Sequence, residues 1–88
     1  MTWELRVAAS AERTLARLPS RAAAAIVEFM VGPLCEEPFR VGRPLLRELS
    51  DYHSARRGAY RIVYRIVDQD RTVLVVRIEH RADVYRSR

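Results

Sequence analysis

With 88 residues, 49% hydrophobic and 31% charged, and a net charge of +5, the chain has globular composition and room for one modest core, so a single domain spanning 1–88 is expected and a disordered chain is excluded. No apolar stretch reaches the roughly 18 residues of a membrane span, and the N-terminus lacks the charged and apolar regions of a signal peptide, so a cytoplasmic protein with no membrane partner is expected. All sixteen basic residues are arginine, a usage that coding bias explains; with no lysine, proton transfer must fall to His53, His80, a tyrosine or a carboxylate.

Trp3, Leu5 and Val7 alternate with Glu4 and Arg6, the period-two pattern of a half-buried first strand. Ser10 then precedes "AERTLARL", where Ala11, Leu15 and Leu18 recur at helical spacing and Pro19 ends the run, so a short helix with Ser10 as N-cap is predicted. Ser20 is placed to cap a second helix, "RAAAAIVEFMV", with Ala23, Ile26, Val27, Met30 and Leu34 as its apolar stripe and Gly32 and Pro33 disturbing its end. The two form an αα-hairpin. Cys35, the only cysteine, excludes an internal disulfide, fits a reducing compartment and reads as a small buried side chain.

Pro38, Gly42 and Pro44 mark a loop of about ten residues. Leu45, Leu46 and Leu49 lead from it into a strand near Tyr52 to Arg56, with Gly58 and Ala59 as a turn. "YRIVYRIV" is the next strand, Asp68 to Arg71 a polar connection, and "TVLVVRIEH" the last long strand. The predicted fold is α+β: an N-terminal strand, a two-helix hairpin, then a three-stranded antiparallel meander, with the helices packed on one face of a twisted sheet. The other face is left for function.

Charge is unevenly spread. Residues 1–39 hold four arginines and five acids, net −1, whereas 40–88 hold twelve and six, net +6. Such a field attracts polyanions, nucleic acid most often and an anionic membrane or acidic protein less often. In "YRIVYRIV", Arg61 and Arg65 share a face with Val63 and Val67, away from Tyr60, Ile62, Tyr64 and Ile66. Those arginines are either solvated and paired with acids such as Asp68 or Glu79, or part of a cluster. Arg56 and Arg57 lie across the turn from Arg61, and His80 and Arg81 end the next strand, so a meander can gather them. Converging guanidinium groups repel one another unless an anion neutralises them, and their planar forks suit phosphate oxygens.

Tyr85 is placed to stack on an unpaired base, which gives the site an RNA-like character. Metal-free RNA hydrolysis needs a base for the 2′-hydroxyl, cations for the pentacoordinate phosphate and an acid for the leaving oxygen. Two histidines 27 residues apart and one distant cysteine do not have metal-ligand spacing, so no metal and no cofactor are expected. Glycine-rich phosphate loops and serine nucleophile elbows are absent too.

In element order and in the stretches "AERTLARLP", "GPLCEEPFRVGRPL", "HSARRGAYRIVYRI" and "IEHRADVY", the chain resembles the RelE toxin family of the RelE/ParE toxin–antitoxin superfamily. Arg56, Gly58, Tyr60, Arg61 and Tyr64 match the family's R-x-G-x-Y-R-x-x-Y strand pattern. The resemblance implies a cytoplasmic toxin that enters the A site of the 70S ribosome and cuts messenger RNA by 2′-hydroxyl attack. It also implies a cognate RelB-like antitoxin in a toxin–antitoxin hetero-oligomer. Carried over, Arg61 stabilises the phosphate transition state, Arg81 does the same or donates a proton, Tyr85 stacks on or orients the scissile nucleotide, and Arg56 holds the backbone. Arg57, Ser54 and Arg65, beside them in the chain, are expected as further substrate contacts. Where RelE members place lysines before the strand pattern, this chain has Tyr52, His53, Ser54 and Ala55, so His53 or His80 is expected to serve as base. Alternatives are a ParE-like toxin that inhibits DNA gyrase and cuts nothing, and an inactive nucleic-acid-binding remnant.

Overall fold

The computed structural model describes residues 2–46 and 51–80. Strand β1 (Glu4–Val7) leads into helices α1 (Ala9–Arg17) and α2 (Ser20–Phe29), the expected hairpin. Neither expected serine cap forms: Ala8 and Pro19 occupy the N-cap positions, and Ser10 and Ser20 lie inside the helices. Ser10 instead donates its hydroxyl to the Val76 carbonyl, 2.9 Å away on the last strand.

At the end of α2, Met30–Leu34 winds as a π-helical turn around Pro33, which has no N–H to continue the α-helical ladder. Ile26, Met30 and Leu34 form the buried stripe of this segment, while Val27, expected within it, is 42% exposed. Cys35 is buried, as its neighbours imply, and its carbonyl accepts a bond from the Trp3 amide. The expected loop contains a one-turn helix α3 (Pro38–Val41) and a two-residue strand β2 (Arg43–Pro44).

Strands β3 (Tyr52–Arg57), β4 (Tyr60–Val67) and β5 (Thr72–His80) follow as the predicted meander, with β2 added antiparallel to β3. Sheet order is β1-β5-β4-β3-β2, and β1 runs parallel to β5. Gly58 has φ 61°, so the two-residue β3–β4 turn has positive φ at its first central position, where glycine adopts it without steric cost. At Gly42 the constraint is space: a Cβ there would collide with the Tyr64 hydroxyl and lie 2.7 Å from the Ser54 carbonyl oxygen.

The core lies between the helices and one face of the sheet, where Ala11, Ile26, Met30 and Leu34 meet Ala55, Ile62, Tyr64, Val73, Val75 and Ile78. The spacing on β5 breaks the period of two. Tyr64 pairs with Val75 but Val63 pairs with Arg77, so Val76 is an extra, bulged residue. Before the bulge, Val73 and Val75 face the helices; after it, Ile78 does. That inversion turns Arg77 and Glu79 onto the open face.

Candidate nucleic-acid interface

Register places side chains on the open face in rows across the sheet. Arg56, Arg61 and Glu79 form the row nearest the β3–β4 turn. Arg43, Ser54, Val63 and Arg77 form the next, and Tyr52, Arg65, Leu74 and Arg6 the one beyond. Among the described residues this face therefore carries Arg6, Arg43, Arg56, Arg61, Arg65 and Arg77 against Glu4 and Glu79. Arg56 and Arg61 stand directly opposite each other, where like charges destabilise a sheet.

Glu79 answers part of that charge. Its Oε1 accepts from both Nε (3.3 Å) and Nη2 (3.0 Å) of Arg61, and its Oε2 accepts from Arg77 Nη1 at 2.9 Å. Burial alone would raise the Glu79 pKa, but the hydrogen bonds from Arg77 and Arg61, with their charges, more than offset it and hold the carboxyl below its usual range. It is therefore a fixed anion at neutral pH. Partly exposed pairs of this kind add about 0–1 kcal/mol, too little to explain why so many arginines share one face.

The sequence-predicted site residues divide between the two faces. Arg56, Arg61, Arg65 and Ser54 come together on the open face. Arg57 and His80 lie on the helix-facing side, in one row with Tyr60, whose ring meets the His80 ring edge-on at 5.0 Å. His53 is also on that side, opposite Tyr64, between the rings of Phe39 (6.1 Å) and Tyr64 (5.6 Å). Its Nδ1 is fully buried with no hydrogen-bond partner among the described residues, and burial lowers its pKa below the ordinary histidine value. The geometry does not bring His53 to Arg61. Arg81 and Tyr85 lie outside the described residues.

The strand pattern itself divides the same way. Arg56 and Arg61 face outward, Gly58 makes the turn, and Tyr64 is fully buried with its hydroxyl donating to the Pro38 carbonyl at 2.7 Å. Burial pushes the Tyr64 phenol up to about 12. A groove of about 430 Å³ between the start of α2 and the β3–β4 turn, lined by Ala22, Ala25, Ile26, Arg57 and Tyr60 among others, lies away from the arginine rows.

Arg77 and Arg43 were not among the residues predicted for the site, and Glu79 was expected only as an acid pairing with Arg61 or Arg65, a pairing that the structure shows with Arg61. Strict alternation from Val73 and Val75 would turn Arg77 and Glu79 inward, and two charged residues at core-facing positions were the available sign of a bulge. Arg43 lies in the segment that Pro38, Gly42 and Pro44 mark as a loop, where no alternation assigns it a face.

A family model described as the ParE toxin of a type II toxin–antitoxin system, parDE, matches residues 5–85. The chain is 52% identical to Toxin RelG of Mycobacterium tuberculosis over 86 residues, covering 98% of this chain and 99% of that protein. The chain belongs to the RelE/ParE family of type II toxin–antitoxin toxins. Toxin RelE of the same organism is 46% identical over 84 residues, 96% of this chain and 87% of that protein. In solved structures, the toxin–antitoxin complex RelBE2 from M. tuberculosis matches at TM-score 0.88 and 49% identity, covering 92% of this chain and 100% of that one. The isolated E. coli RelE toxin matches at TM-score 0.75 and 23% identity over 94% of this chain and 90% of that one, a likeness of fold. In this RelE/ParE toxin, as described, no helix is long and apolar enough to cross a membrane, and no group of three or more metal-binding side chains forms.

Proposed function

We propose that the open face grips the RNA backbone and that the protein is a ribosome-dependent endoribonuclease, cutting messenger RNA in the A site without a metal. The directly opposed Arg56 and Arg61, with Arg65 and Arg77 on the same face, carry this reading. Guanidinium groups arranged in this way are stabilised when a phosphate lies between them. Attack of the 2′-hydroxyl oxygen on phosphorus forms a 2′,3′-cyclic phosphate and breaks the bond to the 5′-oxygen. The 2′-hydroxyl proton goes to a base, and a proton from an acid completes the leaving 5′-hydroxyl.

Arg61 and Arg56 stabilise the added charge on the pentacoordinate phosphate. Because His53 and His80 lie on the opposite face, proton transfer is assigned to Tyr85, a carboxylate or the ribosome, with Arg81 as a further cation for the phosphate. A RelB-like antitoxin, acidic enough to mask the arginine face, is the expected partner in the cytoplasm. Relatives solved with an antitoxin bound, such as RelBE2, support that part of the reading.

The ParE wording of the family model favours a second reading, inhibition of DNA gyrase. Adding the purified protein to a translation extract and, separately, to a gyrase supercoiling reaction distinguishes the two. Blocked protein synthesis with unaffected supercoiling is the result expected for the nuclease. Inhibited supercoiling with normal translation would replace that reading with the second.

A further inference from the structure

Glu79 pairs with Arg61 and Arg77 on the arginine face, yet phosphate binding by itself does not call for an acid there. A carboxylate repels phosphate, so its place at the centre of the cluster has to be explained by what it does to the arginines. Oε1 takes the side-on edge of Arg61, formed by Nε and Nη2, and leaves the end-on edge at Nη1 with no hydrogen bond to the described residues. Oε2 holds Arg77 from the other side. The Glu79 side chain is 18% exposed against 39% for Arg61 and 67% for Arg77, so the anion sits beneath the cations it orients. The bulge at Val76 turns Glu79 to this face, and the Ser10 hydroxyl bonds the Val76 carbonyl.

Resting on the nuclease reading, we propose that Glu79 is a positioning residue: it locks Arg61 and Arg77 into one preorganised phosphate cradle, at the cost of weaker binding of RNA in the ground state. An arginine clamped along one edge presents its other edge in a fixed direction, which favours the transition state, where geometry is strict, over loose backbone contact. The negative charge of Glu79, at the centre of the cluster, lowers affinity for any polyanion. Removing it should therefore separate binding from cutting.

The test uses the full-length chain and its variants Glu79→Gln and Glu79→Asp in three measurements. The first is binding of an RNA oligonucleotide made uncleavable by 2′-deoxy substitution. The second is the ribosome-dependent cutting rate, resolved into its saturating value and half-saturation. The third follows the Arg61 side-chain Nε–H resonance by NMR. E79Q is expected to bind the oligonucleotide several-fold more tightly, yet to cut about tenfold more slowly or worse at saturation. E79D, retaining the charge with a shorter reach, should bind as wild type does and still cut slowly. The Nε–H resonance, protected in wild type, should be lost to exchange in E79Q.

Wild-type cutting by both variants would overturn the proposal, as would equal losses of binding and cutting in E79D. If E79Q does not fold, E79D decides by its split of rate from affinity. If the wild type itself does not cut, the nuclease reading fails while the positioning claim is still judged by the resonance. An Nε–H signal equally protected in wild type and variant then overturns it, and loss in the variant supports it.

Discussion

Arg56 on β3 and Arg61 on β4 occupy directly opposed positions on the open face, two permanent cations in cross-strand register. Cross-strand neighbours have Cβ atoms about 5 Å apart, and like charges at that separation destabilise a sheet. On the proposed function, a phosphate lying between them offsets that repulsion. Arg56→Ala should leave the melting temperature unchanged or raise it slightly while weakening RNA binding and slowing cutting, and Arg61→Ala should abolish toxicity in a protein that still folds. Thermal unfolding beside growth arrest on induction checks both. Full toxicity in folded Arg61→Ala would remove Arg61 from the mechanism.

Backbone contacts by arginine release counterions, so affinity should fall steeply with salt. Removing one arginine of the open face should lower the slope of log affinity against log salt by about 0.7, the value for a single strand. Titrations of a single-stranded RNA with wild type and Arg65→Ala, each at several salt concentrations, measure it. An unchanged slope would mean that Arg65 does not touch phosphate.

His53 gives a pH signature unrelated to cutting. Its Nδ1 is buried with no partner among the described residues and its folded pKa lies below the ordinary 6.5, so the unfolded chain takes up the proton first as pH falls. The associated stability is present above pH 6.5 and is lost as pH falls through the lower folded value. His53→Phe keeps a ring between Phe39 and Tyr64 and removes the titration. Its loss of melting temperature between about pH 8 and pH 5.5 should be smaller than that of wild type. Cutting at pH 8 should persist, since His53 faces away from Arg61; loss of cutting in a folded variant would restore His53 as the base.

Two substitutions test how β4 is anchored. Tyr64→Phe strands the buried Pro38 carbonyl and should cost about 1–3 kcal/mol. Gly42→Ala drives a methyl group into the Tyr64 hydroxyl and the Ser54 carbonyl, so β2 must move away from β3, and a loss of about 1–3 kcal/mol is expected. Urea unfolding measures each. Wild-type stability in Gly42→Ala would mean that the β2 segment yields freely.

Much of this was legible in the sequence because period-two alternation is strong in β4, and Gly58 marks the turn before it. The limits predicted for β4 and β5 match the structure, and so does the shared face of Arg61 and Arg65. Long-range geometry was not legible. Ser10 looks like a helix cap by local pattern, but its hydroxyl finds a carbonyl 66 residues away. The Val76 bulge depends on how β4 and β5 pair, and without it Arg77 and Glu79 count as inward-facing. His53, near the arginines in sequence, is separated from them by the thickness of the sheet, because neighbouring residues of a strand point to opposite faces.

The most direct measurement is a primer-extension map of messenger RNA incubated with the purified protein, with and without translating ribosomes. Cuts within A-site codons that appear only when ribosomes are present are the expected result, and they would make the arginine face a phosphodiester-breaking surface. A folded protein that leaves the message intact in both reactions would contradict the nuclease reading and reduce that face to a binding surface.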